Sequence, residues 1–287
     1  MKVEVFMYKT AEIGEGPIWD YSKKTLFWVD IVNHIIYSEG PNGEMTFKTE
    51  GDVTSLSPTE GGDLLVTVDL SIYRINMHEQ RALKVSNLTD EPKTNRFNDG
   101  KCDVYGRYWA GTMDRMEKLP VASLYVFESG IIRKELSGLT ISNGLGWSPD
   151  NQFMYLIDTP TRKVWKFSFN AERGHISERQ VAVEFGDLPG VPDGMTVDSE
   201  GMIWVAHWGG GMISRWNPNN GRLIEKIELP TENVTSLTFG GPDLRTIFVT
   251  TARHGLSNKK IAEQPYAGSV FMINSNVQGL KVNFCKI

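Results

Sequence analysis

The chain lacks several features that would assign it to a protein class at once. Its 287 residues include only two cysteines, Cys102 and Cys285, and no C-x-x-C pair. Two cysteines cannot form the framework of a disulfide-rich domain, so we expect two reduced, buried thiols. The first residues lack the apolar segment of a signal peptide, and no run of about 18 apolar residues is present. We therefore expect a cytoplasmic protein that has no membrane partner.

Concentrated positive charge is also absent. The chain has 30 lysines and arginines against 35 aspartates and glutamates, a formal net charge of −5, and no basic block. Nucleic-acid binding usually needs a basic stripe or patch, so we expect no nucleic-acid partner. The serine-hydrolase motif G-x-S-x-G and the metalloprotease motif H-E-x-x-H are missing as well. We expect a small-molecule partner and a monomer or small homo-oligomer.

Helical periodicity is absent, whereas short strand-like runs are frequent. Segments such as TLFWVDI, FMYLID and MIWVAH are rich in β-branched and aromatic residues, and Gly, Pro, Asn or Asp bound them. This pattern predicts an all-β chain, which we interpret as a single domain over residues 1–287.

The strand-like runs recur in register behind a short acid or amide residue, here called X. X is Glu15, Asn143 or Asp193 in three units, with glycine directly after it and a strand ten residues on. In a fourth unit X is Asn98, and the glycine is displaced to Gly100. Two looser units complete the series, so that the unit heads fall near residues 15, 54, 98, 143, 193 and 235.

This spacing predicts the fold. A repeat of about 40–50 residues containing several strands is typical of β-propeller blades, each with four antiparallel strands. The sequence therefore predicts a six-bladed β-propeller, because a β-sandwich or paired barrels would leave the constant register unexplained. The spare segments KVEVFMY and VFMIN…LKVNF at the two ends should share the last blade and close the ring.

A propeller would bring the four X residues together at one mouth of its central channel. Two converging carboxylates repel each other unless a cation lies between them. Carboxylate and amide oxygens suit Ca²⁺, Mg²⁺ or Mn²⁺, whereas Zn²⁺ usually recruits His or Cys. We predict one divalent cation, with Ca²⁺ as first choice, and a glycine after X that lets the backbone approach the metal or substrate. The alternative is that these Asn-Gly and Asp-Gly pairs only form turns.

Several motifs together resemble the regucalcin (senescence marker protein) and gluconolactonase family. The likeness rests on GEGPIWD, NRFNDGKCDVYGRYWAGTMD, ISNGLGWSPD, VPDGMTVDSEGMIWVAHWGGG and TFGGPD with FVTTAR, and it runs collinearly from about residue 13 to 273. The resemblance implies a six-bladed propeller with one divalent metal in the channel. Related lactonases carry calcium, zinc, magnesium or manganese, so the likeness leaves the ion open.

The resemblance also implies roles for individual residues. Glu15, Asn143 and Asp193 would bind the metal directly. Asn98 would be a further ligand or a substrate contact, and Arg96 would hold substrate oxygens. His207, at the end of MIWVAH, lies where a strand approaches its loop, and we expect it to contact the substrate.

One departure from the family concerns the segment GTMDRMEKLP. Family members have a sugar-binding glutamate where this chain has Met116, with Glu117 adjacent. A shift of one residue would let Glu117 bind the substrate instead. Alternatively, Arg115 would face the pocket and favour a different, anionic substrate.

The reaction that fits such a site best is hydrolysis of a sugar lactone, similar to gluconolactone, to its aldonic acid. The metal would polarise the carbonyl, and Asp193 would activate the attacking water. Two alternatives remain open at this point. One is a metal-dependent phosphotriesterase, and the other is a non-catalytic calcium-binding propeller, since a fold alone implies no reaction.

Overall fold

The computed structural model describes residues 1–287 and contains six sheets of four antiparallel strands each. Blade 1 consists of β2 (Gly14–Asp20), β3 (Thr25–Asp30), β4 (Ile35–Gly40) and β5 (Gly43–Lys48). Blade 2 consists of β6 (Val53–Pro58), β7 (Leu64–Val68), β8 (Ser71–Asn76) and β9 (Arg81–Asn87). Blade 3 consists of β10 (Asn95–Cys102), β11 (Tyr108–Asp114), β12 (Ala122–Glu128) and β13 (Ile131–Leu139). Blades 4 and 5 are formed by β14 (Ser142–Trp147), β15 (Phe153–Asp158), β16 (Lys163–Asn170) and β17 (His175–Glu184), and by β18 (Val191–Val197), β19 (Ile203–Trp208), β20 (Met212–Asn217) and β21 (Arg222–Glu228). The six-bladed propeller predicted from the repeat is confirmed.

Both ends of the chain contribute to blade 6. Three of its strands are β22 (Val234–Gly240), β23 (Thr246–Thr251) and β24 (Val270–Asn274), and the fourth is β1 (Val3–Met7) from the start of the chain. Strand β1 pairs antiparallel with β24, with Val3 opposite Ile273. The predicted ring closure is confirmed, but LKVNF is not a strand of this blade.

The segment after β24 instead crosses the end of the propeller. It makes isolated bridges to blade 5 at Asp198–Gly279 and to blade 2 at Thr59–Cys285. Cys285 also forms a disulfide with Cys102 at the end of β10, with a Cα–Cα distance of 5.7 Å and a sequence separation of 183. The expectation of two free thiols is therefore wrong. Cysteines so far apart in sequence meet because the ring brings the end of the chain back across blade 3.

The hydrophobic core is a ring of six layers, each between two neighbouring blades. Innermost strands such as β6 and β14 are buried at every residue, whereas the outermost strand β9 is largely exposed. The layer between blades 1 and 2 has 13 buried side chains, but the layer between blades 6 and 1 has only four. The smallest layer lies where the ring closes, and partly buried residues of β1 such as Phe6 pack against it.

The residue five positions after X closes the turn that follows the innermost strand. Asp103 Oδ1 accepts hydrogen bonds from the backbone N–H groups of Tyr105 (2.9 Å) and Arg107 (3.1 Å). Asp198 Oδ1 does the same for Glu200 (2.9 Å) and Met202 (3.0 Å). Such side-chain acceptors satisfy backbone donors that a tight turn leaves free. This part of the repeat is therefore structural.

Helix is scarce in this chain. Besides the one-turn 3₁₀ segment Thr159–Thr161, the chain has a single short helix, α1 (Asn258–Glu263), with Ser257 as its N-cap. Neither has the length and apolar character that a membrane-crossing helix requires.

Candidate metal centre and active site

A cavity of about 460 Å³ opens at one mouth of the central channel. All four X residues line it: Glu15 from β2, Asn98 from β10, Asn143 from β14 and Asp193 from β18. These strands are the innermost strands of blades 1, 3, 4 and 5. The ring thus brings together side chains that the sequence separates widely.

Each of these four strands carries a β-bulge at X or directly after it. In β14, Asn143 and Gly144 lie between the pairs Ser142–Asp158 and Leu145–Leu156, so two residues oppose one on β15. The corresponding register shifts fall between Glu15 and Ile18, Phe97 and Gly100, and Pro192 and Met195. A bulge interrupts the alternation of side chains and changes the direction of the residue it contains. The repeated X therefore marks a repeated bulge.

In two of the three units, at Gly144 and Gly194, the glycine after X makes room for the neighbouring blade. A Cβ atom at Gly144 would lie 2.5 Å from the backbone nitrogen of Met195 and 2.7 Å from the carbonyl oxygen of Asp193. A Cβ atom at Gly194 would lie 2.1 Å from Ser236 Oγ. The atoms that approach these two glycines belong to the next innermost strand, so the packing of neighbouring blades is sufficient to require glycine there. The approach of a metal or substrate to this backbone stays a prediction.

The two acidic X residues repel each other. Glu15 and Asp193 are each only 9% exposed. Burial is the main cause that raises the pKa of Glu15 well above its ordinary value, and the charges of Asp193 and Asp99 raise it further. Burial likewise raises the pKa of Asp193, although a hydrogen bond from the Asn143 amide opposes this shift. Uncompensated carboxylates of this kind suit a hard divalent cation.

The two amide X residues differ in what they offer to a cation. Asn143 donates from Nδ2 to Thr159 Oγ1 at 3.1 Å, and its Oδ1 accepts no hydrogen bond. Asn98 donates from Nδ2 to the Ser142 carbonyl at 2.9 Å, but its Oδ1 already accepts from Arg96 Nη1 at 2.8 Å. Asn143 therefore has a free oxygen, whereas that of Asn98 is already engaged by a guanidinium.

The oxygens present fit a hard cation only if an amide takes part. No group of three or more His, Cys, Asp or Glu side chains is placed to hold a metal ion. Glu15, Asp193 and Asn143 together supply carboxylate and amide oxygens, the donor types that Ca²⁺ and Mg²⁺ prefer. Histidine and thiolate, which favour Zn²⁺, are not part of this set.

Arg96 lines the cavity and is held there by several contacts. Its Nη1 donates to the Phe97 carbonyl and to Asn98 Oδ1, each at 2.8 Å, and its Nε lies 4.0 Å from Asp52 Oδ2. Burial lowers the pKa of Arg96 to about 10, so the guanidinium remains charged at neutral pH. Arg115 is not a lining residue, because Asp52 and Asp69 pair with its guanidinium.

The loop after β11 presents Glu117 to the cavity. Glu117 is a lining residue, whereas Met116 is 62% exposed and is not. The backbone of Glu117 is left-handed, with φ at 58°, and the carboxylate of Asp114 accepts hydrogen bonds from the backbone of Met116 (3.2 Å) and Lys118 (3.1 Å). Of the two adjacent residues, only Glu117 lines the cavity.

His207 does not line the cavity. It is fully buried, with Nε2 2.6 Å from Ser214 Oγ and its ring packed against Phe185 at a centroid distance of 5.4 Å. Burial lowers the pKa of His207 to about 4, so the ring is neutral at pH 7. Successive residues of a strand face opposite sides, and it is Trp208 that lines the cavity. The predicted cavity position of His207 is wrong.

Two further charged residues extend the site into the channel, and the sequence did not assign them a role. Asp99 is 5% exposed, and its Oδ2 has no hydrogen-bond partner. Burial raises its pKa, and the charge of Lys101 opposes this shift. Lys101 donates to the Met195 carbonyl and lines a cavity of about 220 Å³ beneath the C-terminal segment. The sequence did contain one signal for Asp99, because it occupies the position directly after X, where the other three units have glycine.

Comparison with known proteins places the chain in a family. The model of the family described as SMP-30/Gluconolactonase/LRE-like region matches residues 13–253, which is most of the chain. The chain belongs to this family. A member from Bacillus subtilis, provisionally named sugar lactone lactonase YvrE, is 36% identical over 264 residues, covering 91% of this chain and 90% of that protein. Bovine (Bos taurus) regucalcin is 34% identical over 290 residues, covering 98% and 97%.

Two solved structures of other proteins have the same architecture. A luciferin-regenerating enzyme has a TM-score of 0.92 at 30% identity and covers 100% of this chain and 99% of its own. A regucalcin from Agrobacterium tumefaciens, described as a calcium-binding protein, has a TM-score of 0.95 at 25% identity and covers 100% and 98%. The similarity therefore extends over the whole propeller.

Proposed function

We propose that this protein is a metal-dependent hydrolase that opens a sugar lactone to the aldonic acid. The observation that carries the proposal is the convergence of Glu15, Asn143 and Asp193 on one cavity, in a chain of the SMP-30/gluconolactonase family. The cavity volume of about 460 Å³ falls in the range of roughly 300–1,000 Å³ usual for small-molecule sites. The charged and amide side chains among its lining residues suit a substrate that carries hydroxyl groups.

Glu15, Asp193 and Asn143 Oδ1 would hold one divalent cation, with Ca²⁺ as first choice and Zn²⁺, Mg²⁺ or Mn²⁺ as alternatives. Asn98 would be an additional ligand only if its Oδ1 binds the cation while it also accepts the hydrogen bond from Arg96. When bound, a divalent cation polarises the lactone carbonyl and stabilises the negative charge that develops on its oxygen.

Asp193 is the proposed catalytic base. It orients a water molecule toward the carbonyl carbon and accepts one of its protons as the new C–O bond forms. The ring C–O bond then breaks, and the proton passes to the departing ring oxygen, which becomes a hydroxyl group. The products are accounted for by one water added to one lactone, with no oxidant or reductant needed.

Three residues of blade 3 would orient the substrate. Arg96 and Asn98 face the cavity from β10, and Glu117 faces it from the loop after β11. The guanidinium and the amide donate hydrogen bonds to substrate oxygens, and the carboxylate accepts from hydroxyl groups. Fixing a lactone ring in this way reduces the entropy lost in reaching the transition state.

The test is hydrolysis of glucono-δ-lactone by chelator-treated protein, followed by acid release at constant pH while each divalent ion is restored separately. We expect activity to disappear with the chelator and to return most strongly with Ca²⁺. Asp193→Asn should remove turnover, whereas Glu232→Gln, which also changes a cavity carboxylate but one paired with Lys260, should not.

Two results would overturn the proposal. Full activity of Asp193→Asn would show that Asp193 is not the catalytic base. Metal binding without turnover of any aldonolactone would favour a non-catalytic binding protein. The remaining alternative is a metal-dependent phosphotriesterase. An organophosphate triester assayed in parallel distinguishes it from a lactonase, because a phosphotriesterase would have the higher kcat/KM for the triester.

A further inference from the structure

Thr159 connects two of the strands that carry the proposed ligands. It follows β15 at the start of the 3₁₀ segment, is 8% exposed, and lines the cavity. Its Oγ1 lies 3.1 Å from Asn143 Nδ2 and 2.9 Å from the carbonyl oxygen of Pro192, the residue before Asp193. One hydroxyl thus contacts a ligand of blade 4 and the backbone next to a ligand of blade 5.

The hydrogen bonds of this hydroxyl can be assigned from chemistry. A hydroxyl has one hydrogen, and a carbonyl oxygen can only accept, so the hydrogen of Thr159 Oγ1 must point to Pro192. Toward Asn143 the hydroxyl can therefore only accept. The Asn143 atom that faces it must be the nitrogen, which fixes an amide orientation that is otherwise ambiguous.

A consequence follows for the Asn143 oxygen. The nitrogen of this amide donates to Thr159, and Oδ1 accepts no hydrogen bond. Oδ1 is therefore the atom left without a partner in the protein. An amide turned by 180° would present hydrogens to a cation and lose an oxygen ligand.

We propose that Thr159 is a positioning residue that holds the Asn143 amide with its oxygen available to the divalent cation. The inference rests on the proposed function, because it takes Asn143 as a ligand of the divalent cation. Thr159 also ties this ligand to the strand of Asp193, so that the two oxygens keep a constant separation. Groups that orient metal ligands in this way typically change metal affinity about 10–100-fold when they are removed.

The test measures binding of Ca²⁺ or Mn²⁺ to chelator-treated protein by isothermal titration calorimetry, which does not depend on catalysis. Thr159→Val keeps the shape and removes the hydroxyl, and we expect its Kd to rise by about 10–100-fold. Thr159→Ser keeps the hydroxyl and should bind as the wild type does. Thr161→Val is the matched control, because Thr161 lies in the same turn but donates only to the Asp158 carbonyl, at 2.7 Å.

A merely structural role is excluded by comparing unfolding of the chelated variants. We expect Thr159→Val and Thr161→Val to lose similar stability while only the former loses metal affinity. If Thr159→Val does not fold, Thr159→Ala replaces it with the same expected rise in Kd.

Each negative result has a distinct meaning. Wild-type affinity in Thr159→Val, or affinity lost equally in Thr159→Ser and Thr159→Val, overturns the role of Thr159 alone. A wild-type protein that binds none of the ions overturns both the metal-dependent function and this inference.

Discussion

Asp193 and Glu15 face one cavity from blades 5 and 1, and the charge of Asp193 raises the pKa of Glu15 beyond the effect of burial. This relationship between two carboxylates is unfavourable in the protein without a cation. A divalent ion bound between the two carboxylates would relieve this repulsion.

The first prediction concerns stability and pH in chelator-treated protein. Unfolded carboxyls lose their protons near ordinary pKa values of 3.8 and 4.5, whereas folded Asp193 and Glu15 keep theirs to higher pH. Between the ordinary and the raised pKa values, the folded state binds more protons than the unfolded state. The free energy of unfolding therefore falls as the pH rises through this range. Urea denaturation at a series of pH values above the ordinary pKa of 4.5 measures this slope.

Asp193→Asn is the comparison for that slope. Removing one of the two repelling carboxylates should flatten the pH dependence and make the chelated variant more stable than wild type at pH 8. Added Ca²⁺ should reverse the order, because it stabilises only the protein that binds it. Identical slopes for the two proteins would contradict the repulsion.

The second prediction concerns Glu117. Glu117→Gln should lower kcat/KM for an aldonolactone by about tenfold or more, since hydrogen bonds to charged groups contribute roughly 1.5–3 kcal/mol. Met116→Ala, one residue earlier on the same loop, should leave the kinetics unchanged. If Met116→Ala reduced kcat/KM and Glu117→Gln did not, the one-residue shift would be wrong.

The third prediction concerns Gly144. An alanine here would press against Met195 and the Asp193 carbonyl, both on β18, and overpacking of this kind costs about 1–3 kcal/mol. We expect Gly144→Ala to lower the free energy of unfolding by that amount and to weaken metal binding. Gly61→Ala serves as the control, because its Cβ would meet nothing closer than Arg74 Nη2 at 3.5 Å. Equal stability of the two variants would refute the tight approach.

The fourth prediction concerns the Cys102–Cys285 disulfide. It closes a loop of 183 residues, and loops of more than 100 residues are expected to add up to about 5 kcal/mol of stability. Replacing both cysteines by alanine should lower the free energy of unfolding and make it insensitive to reductant. Lactone hydrolysis should persist, because the disulfide lies at the end of β10 remote from Arg96 and Asn98 along that strand. Two free thiols detected by mass spectrometry in untreated protein would contradict the bond.

The architecture could be predicted from sequence because it depends on repetition. Glycine after X and a strand ten residues later recur with a period that only a propeller explains, and the four X residues do line one cavity. The bulges and the close approach of neighbouring blades, which are the physical reasons for the repeat, could not be read from the same letters. They depend on strand register, which sequence spacing does not specify.

The errors concern features that depend on tertiary packing rather than on the local sequence. The Cys102–Cys285 bond requires knowing where the chain end returns. The position of His207 depends on which face of β19 is turned to the cavity, and a shift of one residue exchanges it for Trp208. Thr159 gave no signal at all, because a threonine after a strand is common and its partners lie on two other strands.

The central claim is that oxygens from blades 1, 4 and 5 bind one cation. The most direct measurement is anomalous diffraction from crystals of the protein grown with Ca²⁺ or Mn²⁺. We predict one strong peak in the cavity, within roughly 2.0–2.6 Å of oxygens of Glu15, Asn143 and Asp193, as expected for such ions. No peak at saturating ion, or a peak whose ligands exclude these three residues, would contradict the account.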